Sequence, residues 1–468
     1  MNERDIELFA NKPIFKSIMA LAIPSVVGQI ILVLYNMADT YFVGLTKDNS
    51  MLTAVSICMP AYMILTAISN LFGVGAASVI ARSLGKNNHD RAKNSASFAV
   101  WGCIGLTLLY AVFLIACKDS FINWIGGSNP AVHDKAGMYL MIAVVGFALP
   151  TTLNTLFSHL LRAQGKSLHA SIGIVLGAVL NIALDPLFIF CINGIENAYI
   201  GVALATGIAN FIALIYYIVY LIHKRESIMI SFKIKKAIFQ NHIPGEVIIV
   251  GTPACLMTLC ENISYAVLDN LMSGVSLSAQ AGVGVAKKIN MFAHSAVRGM
   301  AQGVLPLIGF NKSSGNRQRM KKIVFASGGI CVGIALVCLL INYCFATQLS
   351  SIFIQDQATQ AQALYYSAEF LKIFSIGAPF SAIAYTVISF FQAVGKAWRS
   401  LILALLRKGI LDIPLMFILQ IYIPIYGIVW ATPIADIACC VIALVLFFVY
   451  LKLHGQNKGE FAKPIEDN

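Results

Sequence analysis

The sequence predicts an all-α integral membrane protein, with twelve transmembrane helices arranged in two pseudo-symmetric six-helix bundles. Three observations support this. Hydrophobic residues make up 58% of the 468 residues, charged residues only 12%, and the mean hydropathy is +0.78, a composition far from that of a soluble globular domain. Twelve apolar runs are long enough to span a bilayer, and the second half of the chain repeats landmarks of the first.

A helix needs about 20 residues to cross ~30 Å of hydrocarbon. Short polar loops separate the runs that satisfy this length. The first six runs lie near 14–36, 52–80, 94–117, 135–161, 168–191 and 199–222, and the second six lie near 247–273, 279–308, 323–346, 361–393, 399–420 and 425–451. We therefore divide the chain into an N-terminal lobe (1–222), a basic connector (223–246), a C-terminal lobe (247–451) and a tail (452–468).

Basic residues predict the orientation of these helices. When alternate loops are assigned to opposite sides, the connector, the tails and the other basic loops fall in one set, and only Lys47, Lys118 and Lys135 fall in the other. Loops rich in Lys and Arg stay in the cytoplasm. We therefore expect a multi-pass protein of the bacterial inner (plasma) membrane with both termini cytoplasmic. The net charge of +12 reflects this topology rather than binding of nucleic acid.

The two halves share landmarks at an offset near 230 residues. Six spans in each repeat is an even number, so both halves enter the membrane in the same direction and are related by an axis along its normal. A central cavity between the bundles follows. The matched segments are DTYFVG (39–44) with DNLMSG (269–274), AQGK (163–166) with AVGK (393–396), and GVALAT (201–206) with GIVWAT (427–432).

Ionisable residues inside the spans are functional candidates, because a charge at mid-bilayer costs at least ~2.5–3.5 kcal/mol. Asp269 and Glu369 lie near external ends of spans, where a surface role is as reasonable. The acidic candidates are Asp39, Asp185, Glu261, Asp269, Glu369, Asp412 and Asp436, and the basic ones are Lys287, Lys288, Arg298, Lys372, Arg407 and Lys408.

Asp185 is the strongest of these candidates. It follows Asn181 by four residues, which places both side chains on one helix face. Pro186 removes a backbone donor and exposes the carbonyl of Ile182. A carboxylate, an amide oxygen and a free carbonyl suit Na⁺, whereas a desolvated carboxylate suits H⁺. The structural alternative is an interhelical hydrogen-bond network without transport chemistry.

Two further acids are weaker candidates. Asp39 lies in the outer half of the first span, where it has either a coupling or a structural role. Glu261 follows Pro253 by eight residues and is predicted to pair with Lys287 or Lys288, either as a second cation site or as a buried salt bridge.

Aromatic and Met side chains are candidates for lining a cavity that binds lipophilic cations. The alternative is that they face lipid or neighbouring helices. These residues are Tyr35, Met37, Phe157, Tyr265, Met291 and Phe292.

Several motifs together resemble the MATE (multidrug and toxic compound extrusion) family over nearly the full length. They are Pro24 with YNMADTYFVG (35–44), NLFGVGAASVIARSLG (70–85), RAQGK (162–166), NIALDP (181–186) and GVALAT (201–206). The chain is most similar to the branch that includes DinF and MepA.

The resemblance implies a MATE/MOP-type fold and alternating access. It further implies export of cationic amphipathic drugs or dyes in exchange for H⁺ or Na⁺, with no cofactor beyond the coupling ion. Such antiport gives antibiotic resistance by xenobiotic efflux. The cation site that the resemblance implies comprises Asp39, Asn154, Asn181, Asp185 and Thr206.

The chain departs from the family in its C-terminal half. Glu261 stands where NorM-type relatives carry a cation-binding glutamate, but the tenth span has no acid at the partner position near Ile383. The resemblance therefore implies a cation site in the N-terminal lobe rather than a complete one in the C-terminal lobe.

Other functions fit the sequence less well. A flippase for lipid-linked oligosaccharide or peptidoglycan precursors needs cavity cations to hold diphosphate, and only Lys287, Lys288 and Arg298 offer them. A membrane enzyme needs a catalytic constellation such as HExxH, which is absent from the sequence, and the eleven cysteines show no metal spacing. A two-lobed chain with buried carboxylates fits a carrier better than a channel. We expect a functional monomer.

Overall fold

The structure is a computed structural model that describes residues 3–44, 49–125, 129–192, 194, 197–232, 236–239, 242–354 and 360–455. Within these ranges the chain is helical and contains no strand. Twelve long segments, numbered here α1 to α12, correspond to the twelve predicted spans. They are α1 (Ile14–Gly44), α2 (Asn49–Gly85), α3 (His89–Ala116), α4 (Pro130–Tyr139, Leu140–Gly146 and Ala148–Ala163), α5 (Ser167–Pro186 and Leu187–Ile192), α6 (Ala198–His223), α7 (Ile243–Val275), α8 (Leu277–Ser313), α9 (Arg317–Cys344), α10 (Ala361–Ala393), α11 (Ala397–Leu405, Leu406–Ile410 and Asp412–Tyr422) and α12 (Tyr426–Gly455).

Nine of the described helices are long and apolar enough to cross a membrane alone, and the two parts of α4, bent by 46°, add a tenth. The other two segments, α8 and α11, depend on protein neighbours. Polar residues of α8 such as His294 and Asn311 are buried against other helices, so this helix needs no continuous lipid-facing surface. A π-helical turn interrupts α11.

Three π-helical segments break the regular geometry, at Leu140–Gly146 in α4, Leu187–Ile192 in α5 and Leu406–Ile410 in α11. The second follows Pro186 directly, as expected where proline removes a helical donor. Wide turns of this kind are frequent at functional sites. Those of α5 and α11 adjoin Asp185 and Asp412, one completely buried carboxylate in each lobe.

Glycines allow the two lobes to touch backbone to backbone. A Cβ added at Gly251 of α7 would lie 1.7 Å from the carbonyl oxygen of Leu71 in α2, and one added at Gly75 would lie 2.0 Å from that of Val247. At Gly303 of α8 it would lie 2.7 Å from the Cα of Ala22 in α1. No side chain fits at these crossings, so α2 with α7 and α1 with α8 form the joint between the lobes.

Polar contacts reinforce this joint at the end of the molecule that carries the basic loops, here called the basic end. Glu246 of α7 forms ion pairs with Arg82 of α2 and Arg91 of α3. Asn311 of α8 donates to the carbonyl of Phe9 over 3.0 Å. Arg319 of α9 donates to the carbonyl of Lys12 over 2.6 Å. The lobes are therefore held together at the basic end.

Candidate functional site

A cavity of about 260 Å³ lies between the two lobes. Residues of α1, α2, α4, α5 and α6 line one side, and residues of α7 and α8 line the other. Eight of the candidate residues from the sequence contribute to its wall. They are Tyr35, Asn154, Asn181, Thr206, Glu261, Tyr265, Met291 and Arg298.

Three other residues predicted for the cavity do not line it. Phe157 is 1% exposed and packs in a cluster with the rings of Tyr217 and Phe232. Met37 and Phe292 are half-buried outside the cavity. Met37 lies two residues beyond Tyr35, which is about 200° of helical rotation, so its side chain points away from the cavity.

The predicted polar residues of the N-terminal lobe meet in one hydrogen-bonded cluster. The Asn181 amide nitrogen donates to Thr206 Oγ1 over 3.0 Å and to Asp185 Oδ1 over 3.4 Å. Asn154 donates to Asn210 Oδ1 over 2.9 Å, and Asn210 donates to the Thr206 carbonyl over 3.0 Å. Asp185 is completely buried and Asn181 is 2% exposed. Side chains of three helices, α4, α5 and α6, therefore form the cluster.

Two oxygen atoms of this cluster lack a hydrogen-bond donor among the described residues. They are Asn154 Oδ1 and Asn181 Oδ1, and both are buried. Leaving a buried acceptor unsatisfied costs about 1–3 kcal/mol. Together with the Asp185 carboxylate and the Thr206 hydroxyl, these oxygens form a set of hard ligands that suits Na⁺ or a proton held between oxygens. The N-terminal cluster is thus chemically fit to take a small cation.

Asn210 is a member of the cluster that the sequence analysis missed. It follows Thr206 by four residues and so shares its helix face, a spacing that was readable from the chain. Asp39 was predicted for the same site. Its backbone belongs to α1, but its side chain lies outside the described residues.

Glu261 has a different partner from the one predicted. Arg298 of α8 donates to both of its oxygens, over 2.9 and 2.8 Å, and the expected pairing with Lys287 or Lys288 is wrong. Lys287 instead donates to Asp269 over 2.6 and 2.8 Å.

The C-terminal lobe contains two further buried ion pairs. Arg407 Nε lies 2.7 Å from Asp436 Oδ1, and Lys408 Nζ lies 2.8 Å from Asp412 Oδ2. All four side chains are at most 2% exposed. The second pair is separated by four residues on one helix and could be anticipated. The first joins α11 to α12, and only the tertiary structure reveals it.

We predict that Asp436→Asn destabilises the protein strongly, because the substitution leaves the Arg407 guanidinium buried without its counter-charge. Breaking a buried pair by removing one partner costs ~3–5 kcal/mol. Thermal unfolding of the purified protein in detergent measures the loss. Asp134→Asn is the matched control, since the Asp134 side chain is 96% exposed. Equal melting temperatures for the two variants would contradict the prediction.

Comparisons with known proteins agree with one another. The MatE family model matches residues 24–187 and 253–418, once in each half of the chain. The MepA multidrug export protein of Staphylococcus aureus is 27% identical over 452 residues, covering 96% of this chain and 97% of its own. MepA of Staphylococcus saprophyticus is 27% identical over 461 residues, covering 98% and 99%.

Solved structures show the same fold. A multidrug resistance MATE family transporter in an outward-facing conformation matches with a TM-score of 0.89 at 22% identity, covering 98% of this chain and all of that chain. A MOP superfamily transporter from Pyrococcus furiosus matches with a TM-score of 0.86 at 22% identity and the same coverage. Since the family model matches well over half of the sequence, the chain belongs to the MATE family and is a multi-pass membrane transporter, not an enzyme.

Proposed function

We propose that this protein exports cationic amphipathic compounds across the bacterial plasma membrane in exchange for H⁺ or Na⁺. The N-terminal cluster carries the proposal, because it combines a buried carboxylate with oxygens of Asn154 and Asn181 that have no donor in the part of the chain that the structure describes. Both asparagines and Thr206 also line the cavity between the lobes. The relatives described as multidrug export proteins support the same function.

The cluster couples the two fluxes through charge. A drug cation in the cavity and a small cation in the cluster are attracted by the same buried carboxylate, and each weakens binding of the other by repulsion. Tyr35, Tyr265 and Met291 supply apolar and aromatic surface to the drug. Loading the cluster with H⁺ or Na⁺ therefore lowers the affinity for drug and releases it, which is the reciprocal coupling that antiport requires.

Alternating access involves the joint between the lobes. The glycine crossings of α2 with α7 and α1 with α8 close the basic end, and the opposite state requires them to separate. Basic loops favour the cytoplasm, so the closed basic end faces inward in this proposal. A single chain supplies both walls of the cavity, and the transporter acts as a monomer.

Dye transport into everted membrane vesicles tests this proposal, since export from the cell corresponds to uptake by such vesicles. Ethidium movement is followed by fluorescence while an H⁺ or a Na⁺ gradient is imposed separately. We expect one of the two gradients to drive transport above vesicles that lack the protein. The gradient that does so identifies the coupling ion. Absence of dye movement under both gradients would overturn the proposal.

One observation favours a second candidate, a flippase for lipid-linked oligosaccharide or peptidoglycan precursors. Arg162 and Arg298 both line the cavity, and Arg162 Nε and Nη2 and Arg298 Nε lack hydrogen-bond acceptors among the described residues. Buried guanidinium donors suit the oxygens of a diphosphate. If no gradient drives dye transport, flipping of a fluorescent diphosphate lipid in proteoliposomes is the decisive assay.

A further inference from the structure

We propose that the C-terminal lobe contains a symmetry-related copy of the N-terminal cation cluster, in which the ammonium group of Lys408 permanently takes the place of a mobile cation. The inference rests on the proposed function for the N-terminal site. It adds a specific reason why the second lobe needs no ion, and it identifies the residue responsible.

The two clusters occupy matching places in the repeat. Asn181 and Asp185 are four residues apart in α5, and Lys408 and Asp412 are four residues apart in α11, 227 positions further along the chain. A π-helical segment lies close to each pair, after Asp185 in α5 and around Lys408 in α11. Thr206 of α6 matches Thr432 of α12 within the repeated GVALAT and GIVWAT segments.

Hydrogen bonds join the same three matched positions in each lobe, although the threonine bonds to Asn181 in the first and to Asp412 in the second. In the N-terminal lobe, Asn181 donates to Thr206 over 3.0 Å and lies 3.4 Å from Asp185 Oδ1. In the C-terminal lobe, Lys408 donates to Asp412 over 2.8 Å, and Thr432 donates to the same carboxylate over 2.9 Å. The lysine thus stands where the first lobe has an asparagine.

The clusters differ in how their oxygens are satisfied. Asn181 Oδ1 and Asn154 Oδ1 are buried without donors among the described residues. Asp412, by contrast, has donors on both oxygens: Lys408 and Ser264 contact Oδ2, and Thr432 contacts Oδ1. A bound cation would satisfy the Asn181 and Asn154 oxygens of the first cluster, whereas the ammonium group of Lys408 already occupies the second.

At a second pair of matched positions, the C-terminal lobe again has a charged residue where the N-terminal lobe has a neutral one. Asn210 follows Thr206 by four residues, and Asp436 follows Thr432 by four. Asn210 bonds to the neutral amide of Asn154, while Asp436 pairs with Arg407. The C-terminal cluster therefore balances two carboxylates with two built-in cations. In the N-terminal lobe the positions that match Arg407 and Lys408 are Leu180 and Asn181, so neither supplies a built-in cation and the charge of Asp185 can change with ion binding.

Exchanging the two matched residues tests the proposal. Lys408→Asn gives the C-terminal cluster the residue of the N-terminal one, and Asn181→Lys does the reverse. Purified full-length protein in lipid nanodiscs is assayed for bound ²²Na⁺ and, by potentiometric titration, for bound protons. We expect Lys408→Asn to bind one more Na⁺ or proton than wild type, and Asn181→Lys to bind one fewer. Lys452→Asn, at an exposed lysine, is the matched control and should bind as wild type.

The double variant Lys408→Asn with Asp412→Asn should return to the wild-type number, because it removes the second carboxylate. A folded Lys408→Asn protein that gains neither ion would overturn the proposal. If Lys408→Asn does not fold, Asn181→Lys decides: undiminished ion binding by that variant would overturn the proposal equally. Wild-type protein that binds neither ion would instead refute the proposed antiport. In that case a gain of one bound ion by Lys408→Asn would still support the present proposal, and no gain would still overturn it.

Discussion

Asp185→Asn is expected to abolish gradient-driven drug export while the protein remains in the membrane. The substitution keeps the size of the side chain and its hydrogen bond from Asn181, but it removes the buried charge that holds the coupling cation. Coupling free energies between ligand sites are typically ~1–3 kcal/mol, or about 5- to 150-fold in affinity. We expect ethidium transport under the gradient that drives it to fall at least about fivefold, the lower end of this range.

The control for this experiment is Asp134→Asn, which removes a negative charge from an exposed position and should leave transport unchanged. Equal amounts of each protein in the membrane, measured by immunoblotting, exclude an effect of expression. Drug binding without a gradient should be weaker but still measurable in Asp185→Asn, because the carboxylate that attracts the drug is lost while the aromatic wall of the cavity is intact. Normal gradient-driven transport by Asp185→Asn would show that the N-terminal cluster is not the coupling site.

Gly251→Ala is expected to stop transport by a different route, since it prevents the lobes from closing at the basic end. The new Cβ would lie 1.7 Å from the Leu71 carbonyl oxygen, and backbone atoms cannot yield as a flexible side chain does. Overpacking of this kind costs ~1–3 kcal/mol, so we expect the closed state to lose population by about tenfold or more. The transporter then stays open at the basic end and no longer completes its cycle.

Gly245→Ala is the matched control, because a Cβ there, in the same helix, meets nothing within 4 Å. Hydrogen–deuterium exchange of the basic end of α2 and α7 reports the state of the joint independently of transport. We expect faster exchange there in Gly251→Ala than in Gly245→Ala. Wild-type transport and wild-type exchange in Gly251→Ala would contradict the role assigned to this glycine crossing.

Local sequence was informative wherever spacing along one helix decides the geometry. The pair Asn181 and Asp185 was readable as one face of a helix, and the twelve spans were readable from apolar length, because lipid forces each helix to satisfy its own backbone. Sequence reasoning failed where a side chain has several neighbours on other helices. Glu261 was assigned a lysine partner, and Phe157 was placed in a cavity that it does not touch.

The sequence alone therefore determined the membrane class, the number of helices and the shared helix face of Asn181 and Asp185, since each depends on apolar length or helical period. Only the tertiary structure decided which charges pair. The partners Glu261 with Arg298, and Arg407 with Asp436, come from different helices. Their pairing depends on the rotation and depth of each helix, which are set by close contacts such as that of Gly251 with Leu71 and are not encoded in any single segment.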